Sequence, residues 1–364
     1  MTIDKLKVWY RLSEQKSIGL VQAHKIINDL GDPINYIGMK SDLWEKIGYI
    51  SNDIKENLQN DIDPPNWKKI IEFAGKYSQL KFITFFEDEY PNYLKEIYAP
   101  PLFLTAIGDI SLLKHPNIIS IVGTRKPTHY GKQTTEKIVA SLVSNNYLVC
   151  SGLALGIDAV SHLTTLDYGG KTIAVTASGL DNIYPPQNRN LANKIVATGL
   201  IISENMPYTK IEKYHFPQRN RIIAGLSKAV CVIEGKIQSG AMITAKYALD
   251  QNKEVYALPG DITKSEAEGP NTLILKGAKI LLTPNDIVAD LNIVYNKITT
   301  KPIFTLSDEE MIIYKLIKKY SPETHVDQII LETGLSLGEI SGLLFMMELK
   351  NAIKTTDNGK YTIT

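Results

Sequence analysis

The sequence predicts an α/β protein: a central doubly wound Rossmann-like domain, an N-terminal helical domain and a C-terminal winged-helix-like domain. Three observations predict it. Apolar, β-rich runs without alternation recur between helical stretches from 118 to 258, as a parallel sheet covered on both faces requires. Glycine or a small hydroxyl residue stands at the end of several of those runs, just before a helical stretch. Outside that alternation, residues 1–75 and 305–349 carry helical periodicity.

At the N-terminus, Leu20, Ala23, Ile26, Ile27 and Leu30 recur at helical spacing, and Gly31-Asp32-Pro33 stops that helix. Pro64-Pro65 opens another, with Trp67, Ile70, Ile71 and Phe73 as its apolar contacts. Short helices broken by Gly and Pro make a small helical module, assigned to residues 1–80. The connector at 80–114 holds Phe82, Phe85, Phe86, Tyr90, Tyr93, Tyr98 and Phe103, so it must pack against something. With it, the central domain is assigned to 81–295, its strands expected at 118–122, 147–150, 172–176, 200–203, 229–233 and 254–258. The pattern breaks around 291–304, where Lys301-Pro302 marks a boundary. In the last domain, 305–364, Ser307 and Glu310 form a capping-box pattern opening a helix to Lys319. Helices at 325–332 and 336–349 follow, then short strands at 353–355 and 361–363 joined by Asp357-Asn358-Gly359-Lys360. Helix, helix-turn-helix and hairpin make a winged-helix pattern.

At 364 residues, with 44% hydrophobic and 22% charged side chains, the chain is neither disordered nor fibrous and has room for two or three domains. No apolar run approaches membrane-spanning length, and Met1-Thr2-Ile3-Asp4-Lys5 lacks a signal-peptide core, so a cytoplasmic protein without membrane association is expected. Cys150 and Cys231 lie in apolar runs and read as reduced and buried. The six histidines form no ligand-spaced cluster, so neither a metal nor a cofactor is expected. Net charge is only +1, but 115–290 carries 18 basic against 14 acidic side chains, whereas 1–114 carries 14 against 16 and 301–364 carries 7 against 9. Attraction for polyanions therefore belongs to the middle of the chain.

The candidate site is built from the strand-end turns, where exposed N–H groups and helix dipoles hold phosphates. Arg125 follows Gly123-Thr124, and Lys126 continues a basic loop suited to a phosphodiester backbone; the alternative is a surface ion pair. Phe216-Pro217-Gln218-Arg219-Asn220-Arg221 is the densest signal. One of its arginines is expected to pair with Glu204 or Glu234, the other to face a ligand. Ser239-Gly240 opens a helix carrying Thr244 and Lys246, as a simple N-cap, an anion site or both. Lys171, after Gly169-Gly170, is a further candidate contact or a solvated turn residue. Tyr184, in the polar loop 179–188, stacks on a base or packs in its loop. Asp158 and Glu234 could act as acid or base, but no spacing pairs them, and the dinucleotide, Walker and serine-hydrolase glycine motifs are all missing.

The ordered blocks I-V-G-T-R at 121–125, S-G-L-A-x-G-I-D-A-x-x-H at 151–162, G-L-D-x-x-Y-P at 179–185, F-P-x-R-N-R-I-I-A-G-L-S at 216–227, S-G-x-x-x-T-A at 239–245, V-Y-A-L-P-G at 255–260 and G-x-N-x-L-I-x-x-G-A at 269–278 resemble the DNA-processing protein A (DprA/Smf) family. The shorter T-I-A-V, S-E and V-I-E fall between them in order, and Tyr90-Pro91, Pro100-Pro101 and Gly108-Asp109 extend the likeness upstream. The resemblance covers roughly 115–290. It implies a non-enzymatic recombination mediator that binds incoming single-stranded DNA in bacterial transformation, dimerises through the α/β domain and helps load the RecA recombinase. The outer modules match by type, the first as a SAM-like or helix-hairpin-helix-like domain. Carried over, the DNA pocket uses Gly123, Thr124, Arg125, Lys126, Lys171, Phe216, Arg219, Asn220, Arg221, Ser239 and Gly240, and the dimer edge uses Leu273, Ile274, Leu275, Ile280 and Leu281. Leu155, Pro186, Gly235 and Ala241-Met242 depart from the family pattern and weaken individual contacts.

The C-terminal module has a net charge of −2, and its third helix carries Glu339 and Glu348 against Lys350. It therefore reads as a protein-interaction or autoregulatory element, a DNA-binding role in cooperation with the central domain remaining open. Two other functions compete. A nucleotide hydrolase would hold one mononucleotide in the same turns and use Glu234 or Asp158, but no paired carboxylate set supports it. A winged-helix regulator sensing a nucleotide is disfavoured by the acidic third domain.

Overall fold

The computed structural model describes residues 3–291, except 16, 40–43, 46 and 78, and residues 306–363, except 321, 322, 351, 357 and 358. Met1 and Thr2, most of the expected break at 291–304 with Lys301-Pro302, and Asp357-Asn358 of the expected hairpin turn lie outside the described residues. The chain divides into two compact units, residues 1–296 and 297–364.

The first unit opens with helices α1 (Ile3–Ser13), α2 (Leu20–Leu30), α3 (Asn52–Gln59) and α4 (Trp67–Lys76). Leu6, Trp9, Leu12, Ile26, Ile27, Leu58 and Ile70 bury one another around Tyr36 and Trp44. Gly31 ends α2 at φ +80°, a conformation that side-chain-bearing residues avoid. The same apolar cluster takes in Leu102 and Phe103 of the connector.

The aromatic connector does more than pack. It supplies β1 (Leu80–Thr84) and β2 (Phe103–Gly108), with a short α5 (Asn92–Lys95) between them. The remaining strands of this unit are β3 (Ile118–Val122), β4 (Leu148–Ser151), β5 (Thr172–Val175), β6 (Leu200–Ser203), β7 (Ala229–Val232), β8 (Glu254–Ala257) and β9 (Lys279–Ile280). They form one sheet in the order β1-β2-β6-β5-β4-β3-β7-β8-β9. β1 and β2 join antiparallel, and every pairing from β6 to β9 is parallel. Each expected strand lies within a residue of an observed one; β1, β2 and the two-residue β9 were not expected as strands.

Helices α6 (His129–Ser144), α7 (Ile157–Asp167), α8 (Arg189–Thr198), α9 (His215–Leu226), α10 (Gly240–Asp250), α11 (Glu268–Leu275) and α12 (Asp286–Asp290) follow the strands. Along β3, Ile118 and Val122 enter one apolar cluster and Ile119 and Ile121 another, the two-sided burial of a doubly covered strand. The chain runs outward from β3 to β6, then returns to lay β7 against the other side of β3. Strand order reverses there, and open α/β sheets bind ligands in the crevice beyond the carboxyl ends of such strands.

One buried polar group has a measurable consequence. His162 of α7 is fully buried, its Nδ1 hydrogen-bonded to Thr172 Oγ1 at 2.7 Å, with no partner for Nε2 among the described residues. Burial, followed by the Arg219 charge, pushes its pKa down to about 3. The folded protein thus keeps His162 neutral where the unfolded chain takes up a proton. Its contribution is complete above pH of about 6.5 and is lost as pH falls from there towards the folded pKa, at up to about 1.4 kcal/mol per pH unit. A His162→Asn variant is expected to lose less stability than wild type between pH 7 and pH 4, measured by urea unfolding; parallel pH profiles would contradict this.

The second unit contains α13 (Asp308–Lys319), α14 (Val326–Thr333), α15 (Leu337–Leu349), β10 (Ile353–Thr355) and β11 (Tyr361–Ile363), a winged-helix arrangement. Ile313, Ile317, Ile329, Ile340, Leu344, Met347 and Ile353 form its core. The Ser307–Glu310 capping box is present, and the buried Glu310 carboxylate also accepts from Lys350 Nζ at 2.6 Å, tying α13 to the end of α15. Among the described residues, no single helix is long and apolar enough to cross a membrane.

Candidate nucleic-acid interface

A groove of 580 Å³ opens beyond the carboxyl ends of β3 and β7, at the reversal of strand order. The turn after β3 supplies Gly123, Thr124, Arg125 and Lys126; the turn after β4 supplies Ala154; the start of α9 supplies Phe216, Arg219 and Asn220; and the turn after β7 with the start of α10 supplies Lys236, Ser239 and Gly240. A narrower side pocket of 290 Å³ shares Arg125, Ala154, Phe216 and Arg219, and is walled by Tyr184, Pro185 and Pro186.

Close backbone approach sets the first turn. A Cβ on Gly123 would lie 2.6 Å from Ile157 Cγ1, and a Cβ on Gly156, itself at φ +82°, would collide with the Thr124 carbonyl oxygen. Ile157 N donates to Thr124 O at 3.2 Å, so the turn rests on the start of α7. We expect Gly123→Ala to cost about 1–3 kcal/mol through overpacking; an unchanged urea midpoint would show that Ile157 moves aside freely. The turn projects Arg125 and Lys126 into solvent. The Arg125 guanidinium stands 5.7 Å over the Phe216 ring, and Tyr184 meets that ring edge-on at a centroid distance of 5.6 Å. An exposed cation and two ring faces therefore flank the junction of groove and side pocket.

The two arginines of α9 are placed differently from Arg125. Arg219 is 6% exposed, and its Nη1 donates to the carbonyls of Gly152 and Val175, while Nε donates to Asn220 Oδ1 at 3.1 Å. Asn220 Nδ2 donates to Gly240 O at 3.1 Å, linking α9 to the start of α10. Opposite Arg219 lies buried Asp158, whose Oδ2 accepts from the N–H groups of Gly152 and Ala154 at 3.1 and 3.3 Å. Burial raises the Asp158 pKa, with Arg219 pulling it back, and burial lowers that of Arg219 against the opposing charge of Asp158. Arg219 thus forms the floor of the groove as a strut between strand ends. Arg221 is ion-paired with Glu204, one of the two partners named for it, and turns away from the groove lining.

Ser239 is the N-cap of α10, and its Oγ is buried with no hydrogen-bond partner among the described residues. The first N–H groups of a helix lack intrahelical acceptors, so this end of α10 suits an anion. Lys171 is elsewhere: its Nζ donates to Asp109 Oδ2 at 2.9 Å, and it lines a separate surface cleft with Gly199. Glu234 is buried and accepts from Thr128 N at 2.9 Å and from Thr128 Oγ1. Lys236, Gln238 and Glu266 line the groove but were not singled out in the sequence; their signal was position, in turns after β7 and β8.

Of the residues assigned to the dimer edge, Leu273 and Leu281 are core and Ile274 packs against it, whereas Leu275 at the end of α11 is 87% exposed and Ile280 in the end strand β9 is 44% exposed.

Comparison with known proteins gives the lineage. The family model described as DNA recombination-mediator protein A matches residues 81–292, and that of the DprA winged helix domain matches 299–359. The chain is 37% identical to Protein Smf of Synechocystis over 97% of both chains, and 42% identical to DNA processing protein DprA of Bacillus subtilis over 64% of this chain and 79% of that one. The X-ray structure of DprA from Streptococcus pneumoniae superposes with a TM-score of 0.68 at 32% identity, covering 80% of this chain and 98% of that one. DNA processing protein A from Helicobacter pylori, whose structure was described for its single-stranded DNA binding mode, superposes with a TM-score of 0.54 at 31% identity, covering 59% and 97%. With its central domain and its winged helix both matched, and a full-length relative above 30% identity, this chain belongs to the DNA recombination-mediator protein A (DprA/Smf) family.

Proposed function

We propose that the groove at the β3–β7 switch point binds single-stranded DNA without regard to sequence, and that the protein is a non-catalytic recombination mediator. In that role it protects incoming DNA during natural transformation and helps load RecA, acting as a cytoplasmic homodimer. The observation that carries the reading is the junction of exposed Arg125 and Lys126 with the Phe216 and Tyr184 rings and the uncapped start of α10. Cations and helix N–H groups hold phosphates, and ring faces accept any base. Sequence independence is supported by the buried Asn220 amide of the groove, whose two ends are already engaged and so are not free to read a base edge. The non-catalytic reading is supported by Asp158 and Glu234, both engaged as structural acceptors, the first by the N–H groups of Gly152 and Ala154 and the second by the N–H and hydroxyl of Thr128. For the homodimer, support comes from Leu275 and Ile280, large apolar side chains left exposed, the second of them in the end strand β9. Lys171 and Arg221 take supporting roles here, as ion-paired residues outside the groove.

The test is competition between fluorescent oligothymidylate, a mixed-sequence strand and duplex, followed by RecA assembly on the coated strand. Affinities of the two single strands within about threefold, with weaker duplex binding, are expected. A preference above about tenfold for one sequence, or release of product from nucleoside monophosphates, would contradict the reading.

A further inference from the structure

A second cleft, of 420 Å³, lies between α4 and α8, away from the groove. Both helices pack on one apolar cluster through Phe73, Leu191 and Ile195, and a gap stays open between them. Phe73 and Tyr77 form an aromatic wall, their centroids 4.7 Å apart. Leu180, Ala192 and Ile201 are buried in the floor, and Ile183 and Val196 close the sides.

The rim is charged, and the charge is not spent. Lys76 and Arg189 line the cleft, and Lys76 makes no ion pair or hydrogen bond among the described residues. Arg189 donates to a neutral partner, Asn182 Oδ1, at 3.1 Å. Asp181, the one acid of the lining, already accepts from Tyr208 N at 2.8 Å. Gln79 and Asn193 are the neutral polar residues of the lining, and an apolar floor with an aromatic wall under two available cations favours a ligand with an apolar body and a negative charge over a cation.

We propose that this cleft binds a small amphipathic anion: a flat aromatic or apolar body carrying one carboxylate, sulfonate or phosphate. The body displaces water from the floor against Phe73 and Tyr77. The anion sits at the rim between Lys76 and Arg189, where hydrogen bonds to charged donors are strongest. The site stands apart from the nucleic-acid reading and does not depend on it.

The probe is anilinonaphthalene sulfonate, titrated by fluorescence into the full chain. Saturable binding at one dye per chain is expected. Val196→Trp, which fills the cleft from α8, is expected to weaken it at least about tenfold. Ile183→Glu, in the loop at the rim, should weaken it through charge without filling a core position, so the test survives if the tryptophan is not tolerated. The Lys76→Ala/Arg189→Ala double variant should lose about fivefold and most of the salt dependence. Phe345→Ser, on an exposed apolar position of α15, should change nothing. No saturable binding by the wild type overturns the proposal. So does binding unaltered in folded Val196→Trp and Ile183→Glu, or a dye fully displaced by oligothymidylate, which would place it in the groove.

Discussion

Arg219→Ala is expected to lower stability by about 3–5 kcal/mol, because it removes one partner of a buried charge system. Three acceptors lose their donor at once: the Gly152 and Val175 carbonyls and Asn220 Oδ1. Asp158 is left buried without its opposing charge. Arg219→Lys should recover little, since one ammonium cannot reproduce the planar fork that serves these acceptors. A distinctive signature is the pH dependence of the deficit. Burial already raises the Asp158 pKa, and removing Arg219 raises it further. A carboxyl whose folded pKa lies above its unfolded value supports stability below the unfolded pKa and loses it as pH rises through the folded one. The Arg219→Ala deficit should therefore be larger at pH 8 than at pH 5, and Asp158→Asn added to it should restore part of the loss. Urea unfolding of the three variants measures this; a deficit below about 1 kcal/mol would show that Arg219 is not the strut described.

Arg125→Ala is expected to do the opposite, leaving the urea midpoint within about 0.5 kcal/mol of wild type while cutting single-stranded DNA affinity about tenfold or more. The residue is exposed, accepts no structural duty beyond its place over Phe216, and stands where groove and side pocket meet. Arg125→Lys should keep part of the phosphate attraction and lose the stacking and the paired hydrogen bonds, giving an intermediate affinity. The contrast matters because Arg219→Ala would also abolish binding, but by disturbing the floor of the groove. Equal affinity for wild type and Arg125→Ala would remove that arginine from the interface.

Much of the fold was legible because its signals are local. A doubly covered parallel strand needs an apolar run of four or five residues, and all six expected runs are strands. The Ser307–Glu310 capping box is a three-residue spacing and was readable as such. β1, β2 and β9 were not, since 80–84 and 103–108 sit among loop aromatics and β9 has two residues; their identity as strands comes from partners far along the chain. The site divides in the same way. Glycine turns and the start of α10 follow from residue type and position, but the burial of Arg219 depends on carbonyls 67 and 44 residues away. The sequence offered two arginines and two acids without stating the pairing, and packing joins Arg221 to Glu204 while Glu234 caps the Thr128 turn. Lys171, a plausible cation by its glycine neighbours, is drawn to Asp109 at the amino ends of β5 and β6, the end of the sheet opposite the groove.

In the proposed role, Arg125 and Lys126 hold phosphates in the β3–β7 groove. This is tested most directly by the salt dependence of oligothymidylate affinity in wild type and in the Arg125→Ala/Lys126→Ala variant. Each phosphate neutralised on a single strand contributes a slope of about −0.7 in log affinity against log salt. The wild-type slope should be steep, and the double variant should reduce it by about 1.4 together with its loss of affinity. A wild type that fails to bind at low salt, or a folded double variant with the wild-type slope, would contradict that role.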